Sequence, residues 1–396
     1  MAVYDKNNSG AGDKPEDTLD SMVDAGKNVP VSGDAEDAAA KAAQRRAAAR
    51  ERLEAKIAAD AAAERRRRRN ILLIIVAIVV VIALIVASVL IANKVKDDRE
   101  RAEAAEAAKW ANCQWYPEQK LPDLVEQAQK AKDEVEKNWE EAQEQLKAQP
   151  ADQQEETRKQ YNQQIAQADA FIAWAPTAQS NLDSLKRTVE APSNGTYPRT
   201  GKVQTVLKTS AGTLHIDLIH AYSACNNAAF EKMIREKYFN DTSCHRLTNS
   251  DQLKVLQCGD PTMTGMGGPS FYSQDETPNF LLAAASAEGQ GADAVVTYPK
   301  GTVAVAKSQN PNTGGSQFFI LLGDSQLPAA YTVIGKVSPK DFAVLDRIKT
   351  YDIVVAPGTV APEEGDVTDG APGTPIEIEY WKILKTSGVE TQKVTN

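Results

Sequence analysis

The stretch of sequence that decides the fold is Pro-Asn-Thr-Gly-Gly-Ser-Gln-Phe-Phe-Ile, residues 311–320. Turn-forming residues here lead into a short apolar segment, which is typical of a strand that follows a tight turn. Successive side chains of a strand point to opposite faces. Phe318 and Phe319 are therefore expected on opposite sides of this strand.

Short strands between Gly- and Pro-rich turns continue on both sides of this stretch. Residues 203–208 and 213–218 alternate around a turn, which predicts a hairpin, and residues 224–236 have the apolar spacing of a helix. A last strand is predicted at residues 376–384. Many short strands with about two helices indicate a mainly β closed barrel with helical caps.

Two further segments carry unusual residues in a fixed order. The first is Cys-His-Arg-Leu at 244–247 followed by Val-Leu-Gln-Cys-Gly-Asp-Pro at 255–261, and the second is Gly-Met-Gly-Gly-Pro at 265–269. Together with the opening stretch, these segments resemble the cyclophilin family of peptidyl-prolyl cis-trans isomerases. The resemblance covers residues 201–388, and its variant motifs look most like membrane-anchored or secreted cyclophilins of actinobacteria.

The resemblance implies an eight-stranded barrel capped by two helices, which isomerises X-Pro bonds without a cofactor. Arg246 occupies the family's position for the catalytic donor aimed at the prolyl nitrogen, and Gln257 matches the glutamine that helps hold it. A surface ion pair is the alternative role for Arg246. The matching substrate-binding positions are Val255, Ala306, Gln317, Phe319, Leu327 and Tyr331, and a role as ordinary core is nearly as well supported for Val255. Because the resemblance assigns Phe319 to the pocket, Phe318 on the opposite face is expected in the core.

The rim of the implied site departs from the family. Lys254 stands where a pocket aromatic is usual, with Leu253 as a possible substitute, and Lys307 stands where an asparagine is usual. Gln326 replaces a common tryptophan. These changes predict a more basic rim that favours acidic residues beside the proline.

Three functions fit these residues. The first is an extracytoplasmic isomerase that assists the folding of secreted or cell-wall proteins by acting on proline-containing polypeptides. The second is a binding module or chaperone that grips proline segments with little or no turnover. The third is a scaffold in which the helical part does the main work.

An uncharged apolar run at residues 71–92 is long enough to cross a bilayer and contact membrane lipid. Five arginines at 65–69 precede it, which places the N-terminus in the cytoplasm and the rest of the chain outside. We therefore expect a single-pass cell-membrane protein. Its predicted parts are a disordered cytoplasmic segment at 1–34, a basic Ala-rich helix at 35–69 and a transmembrane helix at 70–93.

Residues 94–190 are predicted to form a helical stalk. Apolar residues recur at heptad-like spacing in two runs, which favours an antiparallel helical hairpin, or else one helix that pairs with another molecule. Pro176 is expected to kink or split the second helix. Residues 191–200 have the composition of a linker, and residues 389–396 are a tail.

Charge and cysteine content limit the other possibilities. A net charge of −9 gives no reason to expect nucleic-acid binding, and the cysteines lack the short spacing of a metal site. Four cysteines on the predicted outer side indicate two disulfides, with Cys244–Cys258 and Cys113–Cys225 as one pairing and Cys225–Cys244 as an open alternative.

Overall fold

The computed structural model describes residues 33–287 and 294–389. The predictions for residues 1–32 and for the tail from residue 390 lie outside the described residues. The chain divides into two compact units, Met1–Asp97 and Asp98–Asn396.

A single helix, α1 (Gly33–Ala107), accounts for the described part of the first unit and continues past its boundary. The basic segment, the apolar run and the start of the stalk are thus one continuous helix, as their Ala, Arg, Glu and Leu content favours. Within α1, Ala43–Ala107 contains a window with a mean hydropathy of 3.6. By length and composition it is the one helix of the described residues that could cross a membrane.

Two helices, α2 (Leu124–Leu146) and α3 (Ala151–Ser184), follow and pack along each other. Trp139 stacks on Tyr161 with ring centroids 4.4 Å apart, and the Leu124 amide donates to Gln179 at 3.0 Å. Since the start of α2 meets the end of α3, the two helices are antiparallel. The expectation that Pro176 could split the second helix is wrong, because α3 continues through it.

The strands of the second unit are short. They are β1 (Trp110–Cys113), β2 (Trp115–Pro117), β3 (Gly195–Pro198), β4 (Lys202–Thr209), β5 (Gly212–Ile219), β6 (Thr242–Ser243), β7 (Arg246–Asn249), β8 (Lys254–Cys258), β9 (Phe271–Ser273), β10 (Val295–Tyr298), β11 (Thr302–Val305), β12 (Phe318–Leu321), β13 (Ser325–Pro328), β14 (Val333–Val337), β15 (Ile353–Val354), β16 (Asp369–Pro372) and β17 (Glu377–Ser387). The remaining helices are α4 (Ala224–Arg235), α5 (Asn279–Ala287) and α6 (Phe342–Ile348).

Eleven of these strands form one sheet in the order β15-β16-β7-β8-β12-β11-β14-β5-β4-β17-β6, and its ladders are antiparallel. Residues of β4 alternate between buried and partly exposed, as a strand with one face on the core requires. Phe230, Phe318 and Trp381 meet in that core, so Phe318 is buried as predicted. The sheet order ends at β15 and β6, and closure into an eight-stranded barrel stays a prediction.

The segment before the sheet is joined to it. Strand β1 pairs with β3, β2 pairs with β9, and disulfides link Cys113 to Cys225 and Cys244 to Cys258. The expected linker at 191–200 therefore contains a paired strand, β3. Residues 110–198 belong to the same compact unit as the sheet.

Candidate active site

The register of three neighbouring strands places the predicted catalytic residues side by side. Arg246 on β7 lies opposite Gln257 on β8, and Gln257 lies opposite Phe319 on β12. Directly opposed residues of antiparallel strands share a face of the sheet. A guanidinium, an amide and an aromatic ring therefore meet on one surface.

Two amides extend this arrangement as a hydrogen-bonded chain. Arg246 Nη1 donates to Gln257 Oε1 at 3.2 Å, and Gln257 Nε2 donates to Gln317 Oε1 at 3.0 Å. Gln317 Nε2 in turn donates to the carbonyl oxygens of Gly265 and Gly267 at 2.8 and 3.0 Å. Each amide thus has a fixed orientation, because its oxygen accepts from one neighbour while its nitrogen donates to the next.

Asp369, on β16, also holds the arginine. Its carboxylate accepts from Arg246 Nε at 2.8 Å and from Nη2 at 2.7 Å, which is a bidentate pair. This hydrogen bonding raises the pKa of Arg246 above its usual value, so the guanidinium stays charged. Sequence reasoning missed Asp369, since it lies 123 residues from Arg246 and belongs to no motif.

A cleft of about 240 Å³, lined by both polar and apolar side chains, opens beside the guanidinium. Val255 and Phe319 are 3 % and 5 % exposed and line its floor, and the Tyr331 ring meets the Phe319 ring edge-on at 5.3 Å. Its full lining is Arg246, Leu253, Val255, Gln257, Ala306, Lys307, Phe319, Leu327 and Tyr331. The cleft therefore brings together every predicted catalytic and substrate-binding residue except Gln317, which lies one hydrogen bond away.

One of the two rim lysines is paired with a carboxylate. Lys307 Nζ forms an ion pair with Asp275 at 2.8 Å, and both side chains are mostly buried. Lys254 Nζ donates to the Asp251 carbonyl at 2.6 Å, and Leu253 lines the cleft in its place. The prediction of a basic rim therefore loses its support at Lys307, because Asp275 offsets that charge.

His245 lies next to the arginine in the sequence. Both of its ring nitrogens are buried, and neither makes a hydrogen bond of ordinary geometry within the described residues. Burial lowers its pKa below the usual histidine range, so the ring is neutral. No group of three or more metal-ligating side chains occurs at residues 33–287 and 294–389.

The sequence was compared with those of known protein families and proteins. The family described as cyclophilin type peptidyl-prolyl cis-trans isomerase/CLD matches residues 204–369. The probable peptidyl-prolyl cis-trans isomerase B of Mycobacterium leprae is 37 % identical over 204 residues, which are 51 % of this chain and 64 % of that protein. Peptidyl-prolyl cis-trans isomerase-like 1 of Rhizopus delemar is 35 % identical over 141 residues, which are 34 % of this chain and 73 % of that protein.

A solved cyclophilin type peptidyl-prolyl cis-trans isomerase of Cryptosporidium parvum is 23 % identical, with a TM-score of 0.33, and covers 46 % of this chain and 98 % of its own. The chain belongs to the cyclophilin-type peptidyl-prolyl cis-trans isomerase family, and its sheet has the cyclophilin fold. It spans 64 % of the length of the mycobacterial relative.

Proposed function

We propose that this chain isomerises X-Pro bonds in proline-containing polypeptides. The observation that carries the proposal is the position of Arg246 at the edge of a cleft of about 240 Å³ with Val255, Phe319 and Leu327 in its lining. Gln257 and Asp369 fix the guanidinium there. The cleft suits a proline ring, and a positioned donor beside it suits the adjoining imide nitrogen.

The reaction needs little machinery. The rotation barrier of roughly 20 kcal/mol comes from partial double-bond character in the imide C–N bond. A donor to the prolyl nitrogen stabilises its pyramidal form, in which conjugation is lost, and so stabilises the twisted transition state more than either ground state. In the proposal, Arg246 is that donor, Gln257 positions the substrate backbone, and Phe319 with Val255 and Leu327 holds the ring.

The remaining substrate contacts are proposed from the lining of the cleft and from Gln317, which lies beside it. Ala306 offers backbone groups, Tyr331 an apolar wall, and Gln317 an amide held in place by two carbonyls.

In the same proposal the cyclophilin sheet closes into a barrel. Support comes from β6, which pairs with β17 and is followed after two residues by β7.

We further propose that the enzyme is a single-pass membrane protein with its catalytic unit outside the cytoplasm, where it assists protein folding. The apolar run at 71–92 and the five preceding arginines support this topology. Two disulfides in the unit that follows also support it, because disulfides persist in oxidising compartments. Here α2 and α3 serve as a spacer or protein-binding arm. Protease treatment of intact cells should remove this unit, and its survival would contradict the topology.

One observation favours a second candidate, a proline-binding module with low turnover. Asp369 occupies two of the guanidinium's nitrogens, so Arg246 reaches a substrate only with its remaining donors or after leaving Asp369. Exchange NMR on a Gly-Ala-Pro-Phe-type peptide with the full chain in detergent measures affinity and cis–trans exchange together. Faster exchange supports the enzyme, whereas binding without faster exchange supports the module.

A further inference from the structure

A second groove, of about 410 Å³, adjoins the cleft beside Arg246 and shares Gln257, Ala306 and Lys307 with it. The loop at 265–268 and the stretch at 308–317 form two of its walls. Its third wall comes from the segment at 118–121, which contributes Glu118, Gln119 and Leu121. This segment, here called the wall segment, lies outside the family-matched residues 204–369.

Backbone pairing fixes the wall segment beside the groove. Strand β2 runs along β9 with Pro117 opposite Phe271, and the next amide, that of Glu118, donates to the Ser270 carbonyl at 3.2 Å. The disulfide Cys113–Cys225 ties the chain down just before β2. The position of the wall segment is therefore fixed by the β2–β9 strand pairing and by the disulfide.

The Glu118 side chain is buried and paired. It is 9 % exposed, and its Oε2 accepts from Lys186 Nζ at 3.1 Å. It lies so close to Gly268 that a Cβ there would meet Glu118 Oε1 at 2.1 Å. The glycine thus lets the carboxylate pack against the loop, and Lys186 offsets its charge.

The groove consequently offers neutral surfaces to a ligand. Its two buried charges are paired, Glu118 with Lys186 and Lys307 with Asp275. Leu121 is 37 % exposed and gives an apolar surface, and Gln119 gives an exposed amide. Such a lining favours long uncharged side chains over glycine and over charged ones, because a charged group would lose hydration without gaining an unpaired partner.

We propose that the wall segment is a specificity element, which contacts a residue flanking the proline of a bound polypeptide and favours long uncharged side chains there. This inference rests on the proposed function, since the groove selects the flank of a substrate whose proline occupies the cleft. The two sites share three lining residues, so one extended polypeptide can enter both.

The test uses the full chain in detergent and proline peptides that differ only at the flanking positions, which carry Gly, Leu, Gln, Glu or Lys. The variants are Gln119→Ala, Leu121→Ala and their combination. Val125→Ala is the matched control, because Val125 is an exposed residue on α2 that lines neither site. The measured quantity is the ratio of kcat/KM for the Leu-flanked peptide to that for the Gly-flanked peptide.

We expect a ratio above one in the unaltered chain and a drop of about fivefold in the double variant, since truncating groups that contact a substrate side chain typically costs such factors. The control should leave the ratio unchanged. An unaltered ratio in the double variant would overturn the inference. If no peptide is turned over, the proposed function fails, and the same ratio taken from fluorescence-anisotropy affinities decides the inference separately.

Discussion

Replacing Asp369 by asparagine tests whether this carboxylate positions Arg246, because the arginine itself keeps its charge. The substitution keeps the size of the side chain and one accepting oxygen but replaces the second acceptor with an NH₂ group facing the guanidinium. One of the two short bonds, at 2.8 and 2.7 Å, is therefore lost. Because the Arg246 and Asp369 side chains are 39 % and 52 % exposed, solvent screens the pair, and we expect a loss of only about 0.5 kcal/mol of folding stability.

Turnover should respond more strongly than stability. If the bidentate pair with Asp369 orients the guanidinium toward the cleft, losing one charge-assisted hydrogen bond costs roughly 1.4 kcal/mol of transition-state stabilisation. This corresponds to about a tenfold loss in kcat/KM. The same change should lower Tm by only about 2 °C. Exchange NMR on a proline peptide and calorimetry of the full chain in detergent give the two values.

A matched control separates this effect from general loss of charge. Asp346 is an exposed carboxylate that pairs with Lys300 at 2.6 Å and lies away from the cleft. Asp346→Asn should therefore leave kcat/KM unchanged. An Asp369→Asn variant with unchanged or higher kcat/KM would refute the reasoning, because it would show that Asp369 does not position the arginine for turnover.

Three further predictions concern the cleft, the disulfides and pH. Leu327→Ala removes a wall of the cleft and should lower kcat/KM about fivefold with little change in Tm. Gln326 lies on the same strand but does not line the cleft, so an equal loss of kcat/KM in Gln326→Gly would contradict the role of Leu327. Opening Cys113–Cys225 by serine substitution should cost about 2 kcal/mol more stability than opening Cys244–Cys258, because the closed loops span 112 and 14 residues; equal losses in urea unfolding would argue against loop entropy as the cause. Burial lowers the pKa of His245 in the fold, so the unfolded chain binds the proton more readily and stability falls as pH drops below about 6.5. His245→Leu should flatten the fall in Tm below that pH, and an unchanged slope would assign the pH dependence to other groups.

The core of the site could be predicted from the sequence because local motifs set it. Arg246 and Gln257 lie in neighbouring short strands, and their motifs fix both the residue types and the spacing that makes them partners. Phe318 and Phe319 could be assigned to opposite faces from strand alternation alone. These inferences needed only local periodicity and the resemblance.

The rest depends on contacts between segments that are distant in sequence. Asp369 reaches Arg246 across 123 residues, and nothing in its own neighbourhood marks it. The composition of residues 191–200 is that of a linker, yet Gly195–Pro198 pair with Trp110–Cys113, a match that no local pattern specifies. The wall segment was hidden for the same reason, since its position follows from the β2–β9 ladder.

Helix α3 shows a local rule overridden by packing. Proline removes one helical hydrogen bond and crowds the preceding turn. Ala175 and Ala178, on either side of Pro176, are fully buried in a cluster with Leu124 of α2, against which Met266 also packs. Burial of these flanking residues stabilises the continuous helix where sequence alone predicts an interruption.

The role of Arg246 is tested most directly by Arg246→Ala in the full chain, with Arg158→Ala, an exposed arginine on α3, as its control. The quantity to measure is the cis–trans exchange rate of a proline peptide at saturating protein. We expect the unaltered chain and the control to accelerate exchange equally, whereas Arg246→Ala should lose a factor of about 10² or more while still binding the peptide. Equal acceleration by Arg246→Ala would contradict the assignment of this arginine as the catalytic donor.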